Sequence, residues 1–218
     1  MVYVLTVDQR GSRRAADRVP DALHRLRRIP TLRPFERTAG DEFQGVLIDP
    51  LSVVDAILDL VRDGSWSVGV GVGTVERPLP RQTRAGRGEA FALARQAVEA
   101  AKRDPQHVAV AAADAEAGRH AQAVLRLLAV LVQRRTEPAW KAAELVAEGL
   151  SLTEAGHRLG ISRQAVGQRL AAGLWHQERQ ARPAAAALLA LADGVPGTAD
   201  GGADALARTG GSDPADPS

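Results

Sequence analysis

The stretch WSVGVGVGTV, Trp66–Val75, alternates valine with glycine or a small polar residue. A period of two is that of a β-strand. One face would carry Val68, Val70 and Val72; the other, with Gly69, Gly71 and Gly73, would be nearly bare. Upstream, Pro50–Arg62 places Leu51, Val54, Ile57, Leu58 and Val61 on one side of a helix that stops before Gly64. Downstream, Glu76–Gly88 reads as a basic loop containing Pro and Gly. It leads into an Ala-rich helix, Gly88–Arg103, and a short strand, His107–Ala111. At the start of the chain, Val2–Val7 is an apolar, β-branched run that predicts a buried strand. Asp17–Arg28 spaces Val19, Leu23 and Leu26 as a helix does, with Pro20 near its start. Pro34–Ala39 and Phe43–Ile48 predict two strands joined at Gly40-Asp41-Glu42.

The resulting order, βαββαβ with one further αβ, predicts an α+β fold. Residues 1–114 would form a ferredoxin-like sheet with its helices packed on one face. Residues 115–182 read as all helix. His120–Val132 is apolar almost all round and predicts a helix sandwiched between domains or subunits. Helices at Glu137–Glu148, Thr153–Gly160 and Arg163–Leu174 follow. Residues 183–218 are rich in Ala, Gly, Pro and Asp. They predict a largely disordered tail, with a short helix at Ala184–Leu191 and disorder after Gly194.

With 218 residues, 45% hydrophobic and 25% charged, the chain can bury a sizeable core and is neither collagenous nor disordered throughout. It has no Cys, which excludes thiol catalysis and Cys-based zinc sites. No apolar run reaches the roughly 20 residues of a membrane span. Val2–Val7 follows no basic segment, so it does not read as a signal peptide, and a cytoplasmic location is expected. Charge is unevenly placed. Residues 1–118 carry 17 basic and 16 acidic side chains, and residues 119–182 carry 10 and 5. Residues 183–218 carry 1 and 5. A basic segment of net +5 beside an acidic tail points to a polyanionic partner.

Within the basic segment, Leu152–Leu170 reads LTEAGHRLGISRQAVGQRL, the pattern of a helix-turn-helix. Thr153 would cap the first helix, and Gly156 would permit a close crossing. Gly160 would make the turn, and Ile161 would plug the core. Ser162 would cap a second helix with Val166 and Leu170 inward. Arg163, Gln164 and Gln168 would then face outward, where Arg suits guanine and Gln suits adenine in a major groove. Ser162 and Arg169 would hold phosphates. The competing reading is a plain helical hairpin. Trp140 and Trp175 would cap the core. Double-stranded DNA is the expected partner, and a homodimer through His120–Val132 would supply two half-sites.

In the first half, Asp8 ends the first strand in DQRGSRR, and Asp41 and Glu42 sit at the hairpin in TAGDEF. The sheet would bring Asp8 and Asp41 together. Paired carboxylates there suit a hard cation such as Mg²⁺, with nucleotide phosphates completing its shell. Close carboxylates repel unless a cation, a proton or an Arg lies between them. Gly11 and Gly40 would admit phosphates, and Arg13, Arg14, Arg81, Arg84 and Arg87 would neutralise them. The alternative is a pair of loop-capping carboxylates, with the Arg residues a solvated loop. Glu42 is a second ligand or a solvated turn residue.

AGDEF resembles the GGDEF signature of diguanylate cyclases, and DQRGS resembles the metal-binding opening of class III nucleotidyl cyclases. The combination of DQRGSR, GDEFQ and a following helix-turn-helix resembles the SatD family over about residues 1–178. The resemblance implies a palm-like, nucleotidyl cyclase-like N-terminal domain. It places metal at Asp8, Asp41 and Glu42, and nucleotide at Gly11, Ser12, Arg13 and Gly40. The expected function is a DNA-binding regulator whose first domain senses a nucleotide or metal or dimerises. The alternative is a minimal metal-dependent nucleotidyl cyclase or transferase.

Overall fold

The computed structural model describes residues 2–12 and 14–193. The fold is α+β, built on one five-stranded mixed sheet. In chain order the sheet unit comprises β1 (Val2–Gln9), α1 (Val19–Leu26), β2 (Arg33–Ala39), β3 (Glu42–Leu47), α2 (Pro50–Asp63), β4 (Trp66–Gly73), α3 (Glu89–Ala101) and β5 (Val108–Ala112). The helices α4 (Ala115–Arg134), α5 (Glu137–Ala147), α6 (Leu152–Leu159), α7 (Arg163–Ala172) and α8 (Trp175–Ala192) follow.

The strands lie in the order β2-β3-β1-β4-β5. The pairs β2/β3, β3/β1 and β1/β4 are antiparallel, and β5 adds to β4 in parallel through α3. Register is fixed by the alternation of β1. Tyr3, Leu5 and Val7 enter the largest apolar cluster with Phe43, Val68, Val70, α1 and α2. Val2 and Val4 face the other way, onto Ala90, Phe91 and Ala94 of α3.

Helices therefore cover both faces of the sheet, which corrects the expectation of a single covered face. The glycines of β4 explain the difference. A Cβ on Gly71 would stand 2.1 Å from the Ala90 carbonyl oxygen, and one on Gly69 would stand 2.1 Å from the Val98 amide. The face that looked bare in the sequence is bare because the backbone of α3 rests directly on it.

The limits of α2 follow from its caps. Asp49 accepts hydrogen bonds from the Leu51 and Ser52 amides, and Gly64 ends the helix at φ 69°. Such an N-cap contributes about 1 kcal/mol.

The later helices make two groups. Leu125, Leu128, Ala129 and Val132 of α4, with Ala185 and Leu189 of α8, share the sheet's largest core cluster. Ala142, Ala143, Ala155, Val166 and Leu170 form a separate cluster within α5, α6 and α7. The core thus continues across the boundary expected at residue 115. α4 is amphipathic rather than apolar all round in its packing: Leu127 is 61% exposed while Leu125, Leu128 and Ala129 are buried. The helical region also extends past the boundary expected at residue 183. One helix runs unbroken from Trp175 to Ala192 through Pro183, and Tyr3 donates its hydroxyl to the Leu189 carbonyl. The expectation of disorder after Gly194 lies outside the described residues.

Candidate functional site

Two places in the fold gather the residues singled out by sequence. The first lies at the end of β1, where Asp8 is in register with Glu42 on one side and Ser67 on the other. The chain reverses at the Gly40-Asp41 turn, and the Gln9 amide donates to the Asp41 carbonyl at 3.3 Å.

Asp8 lines a cavity of about 690 Å³ with Gln9, Arg10, Gly11, Ser12, Arg14, Ser67, Lys102 and His107. Asp41 lines a neighbouring cavity of about 380 Å³ with Gln9, Ser12, Ala15, Asp17, Arg37 and Gly40. Gln9 and Ser12 border both. The carboxylates expected to share one pocket thus open into two, close enough for Asp41 to act on Asp8. The Asp8 carboxyl is raised above its ordinary value, first by burial. Hydrogen bonding and charge from Lys102 oppose the shift, and the charges of Asp41 and Glu99 add to it.

Each acidic group already has an internal partner or a cation nearby. Lys102 Nζ lies 3.0 Å from Asp8 and 2.8 Å from Glu99. The Thr38 hydroxyl donates to the Glu42 carboxylate at 2.5 Å. Arg37 donates to the Gly40 carbonyl at 2.8 Å and pairs with Asp17 in the cavity that Asp41 lines.

Lys102 is the residue that sequence reasoning missed. Its place follows from topology. β1 runs antiparallel to β4, so the end of β1 lies beside the start of β4. α3 runs back along β4 before β5 begins parallel to it, so its last turn arrives at that same end. Lys102 follows α3 directly.

The arginines expected to neutralise phosphate are elsewhere. Arg81, Arg84 and Arg87 line neither cavity. Their loop docks on β2, where Arg33 donates to the Pro80 carbonyl at 2.6 Å and the Thr83 amide donates to Glu36 at 2.9 Å. Arg14 does line the Asp8 cavity; Arg13 lies outside the described residues.

These donors do not suit a divalent cation. Asp8 is held by an ammonium, Glu42 by a hydroxyl, and Asp41 opens into a different cavity. Among the described residues, no three His, Cys, Asp or Glu side chains are grouped to hold a metal ion. The cationic side chains at the Asp8 cavity are Arg10, Arg14 and Lys102.

The second place is the outer face of α7. The N-cap of α6 is Ser151 rather than the expected Thr153. Ser151 and Glu154 form a reciprocal capping box, with the Ser151 amide donating to Glu154 at 2.8 Å. Gly160 ends α6 at φ 65°, a left-handed conformation that glycine adopts without cost, and the Ile161 amide closes onto the Gly156 carbonyl at 3.0 Å. A Cβ on Gly156 would stand 2.8 Å from the Ile161 carbonyl oxygen, so the tight turn requires a glycine there.

Ser162 then caps α7, accepting from the Ala165 amide at 3.1 Å. Val166 and Leu170 are buried, while Ser162, Arg163, Gln164 and Gln168 are exposed and Arg169 is half-buried. Among the described residues, the side chains of Arg163, Gln164, Gln168 and Arg169 make no hydrogen bond or ion pair. A Cβ placed on Gly167 between them would meet nothing within 4 Å.

This unit meets the sheet unit through charge. Arg135, 1% exposed at its side chain, pairs with fully buried Glu178 at 3.3 Å and donates to the Gly173 carbonyl at 2.9 Å. Arg182 bridges Glu178 to Asp55 of α2, and Arg62 of α2 pairs with Glu144 of α5. The Arg62 and Arg135 guanidinium groups lie 4.1 and 4.4 Å from the centre of the Trp140 ring. Trp140 therefore belongs to the joint between the two groups of helices.

No family model, no curated protein and no solved structure matches this chain. Among the described residues no helix is long and apolar enough to cross a membrane.

Proposed function

We propose that the protein is a DNA-binding regulator, with α6 and α7 acting as a helix-turn-helix and α7 as its recognition helix. The observation that carries this reading is the outer face of α7. Arg163, Gln164, Gln168 and Arg169 are held on a capped helix with no internal partner among the described residues. Side chains with donors and no protein acceptor are free to read base edges and phosphates. The excess of basic residues over 119–182 supports the same partner.

In this reading the first four strands, in the order β2-β3-β1-β4, are a ferredoxin-like, cyclase-like sheet that senses a nucleotide at the Asp8 cavity. The protein acts in the cytoplasm as a homodimer, because one recognition helix covers a small site. The proposed seam is the helix segment His120–Val132 within α4, where Leu127 is exposed. The test is an electrophoretic shift with DNA from upstream of the protein's own gene, beside a sedimentation measurement. Retarded DNA lost with Arg163→Ala is expected; equal binding by the variant overturns the assignment of α7.

The alternative, a minimal nucleotidyl cyclase or transferase using Asp8 and Asp41, draws on the electrostatic proximity of those two carboxylates. The ammonium of Lys102 against Asp8 counts against it. Incubation with Mn²⁺ and each nucleoside triphosphate, followed by a search for cyclic products, separates the two.

A further inference from the structure

We infer that Lys102 is the resident cation of the Asp8 cavity, so that this pocket binds the phosphates of its ligand without a divalent metal. The inference rests on the nucleotide-sensing part of the proposed function and changes its chemistry.

Three observations carry it. The first is position. Lys102 Nζ, 3.0 Å from the Asp8 carboxylate, holds the oxygen that a metal ion would need. A tethered ammonium supplies one positive charge there at a high effective concentration, and it is not diluted away as a free ion would be.

The second is the balance of charge around the cavity. Its lining includes Arg10, Arg14 and Lys102, and the only carboxylate among the lining residues is Asp8. Arg10 spends one guanidinium nitrogen on the Gly64 carbonyl at 2.7 Å, which fixes the side chain at the rim. Ser12 and Ser67 add hydroxyl groups. Such a cavity favours an anion, whereas a divalent cation entering it would meet three cationic side chains and one shared carboxylate. The volume of about 690 Å³ is that of a small-molecule site.

The third is that the cation is secured from its other side. Glu99, one turn earlier on α3, holds Lys102 Nζ at 2.8 Å. Lys102 is raised above its ordinary value: burial pulls it down, but the hydrogen bonds and charges of Glu99 and Asp8 outweigh that. The ammonium is therefore charged at neutral pH. Lys has three donors; two are spent here, and the third is left for a phosphate oxygen.

The full chain, prepared in chelator, tests this with two probes. Melting of the wild type is expected to be unmoved by millimolar Mn²⁺ alone, and so is that of Lys102→Met, whose cavity keeps one carboxylate beside Arg10 and Arg14. Lys102→Arg keeps a cation and is expected to behave as the wild type. Inorganic tripolyphosphate in chelator is expected to raise the wild-type Tm, and Lys102→Met is expected to weaken its binding roughly tenfold, the loss of one charged hydrogen bond. Mn²⁺ binding by the wild type, unchanged tripolyphosphate binding in Lys102→Met, or a tripolyphosphate effect that requires metal overturns the inference. So does failure of tripolyphosphate to bind. The same preparations assayed for DNA retardation keep the outcomes apart, because α7 is untouched by these substitutions.

Discussion

Asp8 and Arg163 are both charged residues that a sequence reading puts in a functional site, and they are held in opposite ways. Asp8 is partly buried and paired with Lys102. Arg163 is exposed, and among the described residues its side chain has no partner. The difference separates charge that serves the fold from charge kept for something outside it. A partnered side chain costs stability when removed. A free one costs stability almost nothing, and its removal is felt only when a ligand is present.

The sharpest contrast is inside the helical region. Glu178→Ala leaves the Arg135 guanidinium buried without its carboxylate and is expected to destabilise the protein by about 3–5 kcal/mol. Denaturation in urea measures it, and a loss of less than about 1 kcal/mol would mean that water reaches Arg135. Next comes the contact of α3 with the sheet. Gly71→Ala drives a methyl group into the Ala90 carbonyl and is expected to cost about 1–3 kcal/mol, read as a lower urea midpoint.

Arg163→Ala is the converse case. It is expected to leave the urea midpoint within about 0.5 kcal/mol of the wild type. On a cognate site it is expected to cost about 1–3 kcal/mol in DNA binding. A large loss of stability would put Arg163 with Asp8 rather than against it. Arg169→Ala is expected to weaken all DNA sequences alike.

The smallest effect is in pH dependence, where two carboxyls differ in sign. Asp49 is held below its ordinary value, chiefly by the Ser52 hydroxyl and further by the Ser52 and Leu51 amides, against a smaller effect of burial. Its contribution is present above the unfolded carboxylate value near 4 and is lost as pH falls through the lower folded value. Asp8 is raised, so its ionisation costs stability as pH rises from the ordinary carboxylate value through the raised one. Asp49→Asn should remove the acid-side loss and Asp8→Asn the opposite slope. Stability measured against pH for the two variants reads each sign; matching slopes would show that the two carboxyls share one environment.

The strands were legible because each carries its signal over several adjacent residues. β1, β4 and the β2/β3 hairpin lie within a residue or two of where the apolar run, the alternation and the turn put them. Alternating glycine in β4 was legible as a small face. Its cause was not, because the helix that fills that face lies beyond a long loop. α8 was legible only in its second half, expected as a short helix at Ala184–Leu191; Pro183 looked like a break, yet the helix runs through it and Leu189 and Ala185 are fully buried against the sheet's core.

The α7 residues could be read locally, since capping and i, i+4 spacing belong to one short segment. The Asp8 site could be read only in half. The acids sit in two recognisable motifs, but Lys102 reaches Asp8 through the path of α3 and β5, which no local pattern records. A lysine directly after a helix that returns to the end of the first strand is the signal that would have found it.

The pairing of Arg135 with Glu178 has one more consequence, and it is mechanical. The chain leaves the sheet unit at Arg135, forms α5, α6 and α7, and returns at Glu178, where the same two side chains meet. Entry and exit are therefore fastened at one point. The joint is held by this ion pair together with Arg182 on Glu178 and Asp55, and farther out by Arg62 on Glu144 and Trp140. A rotation there would carry the outer face of α7 with it. In a dimer, the spacing between two such faces would be set by the angle at one joint in each subunit.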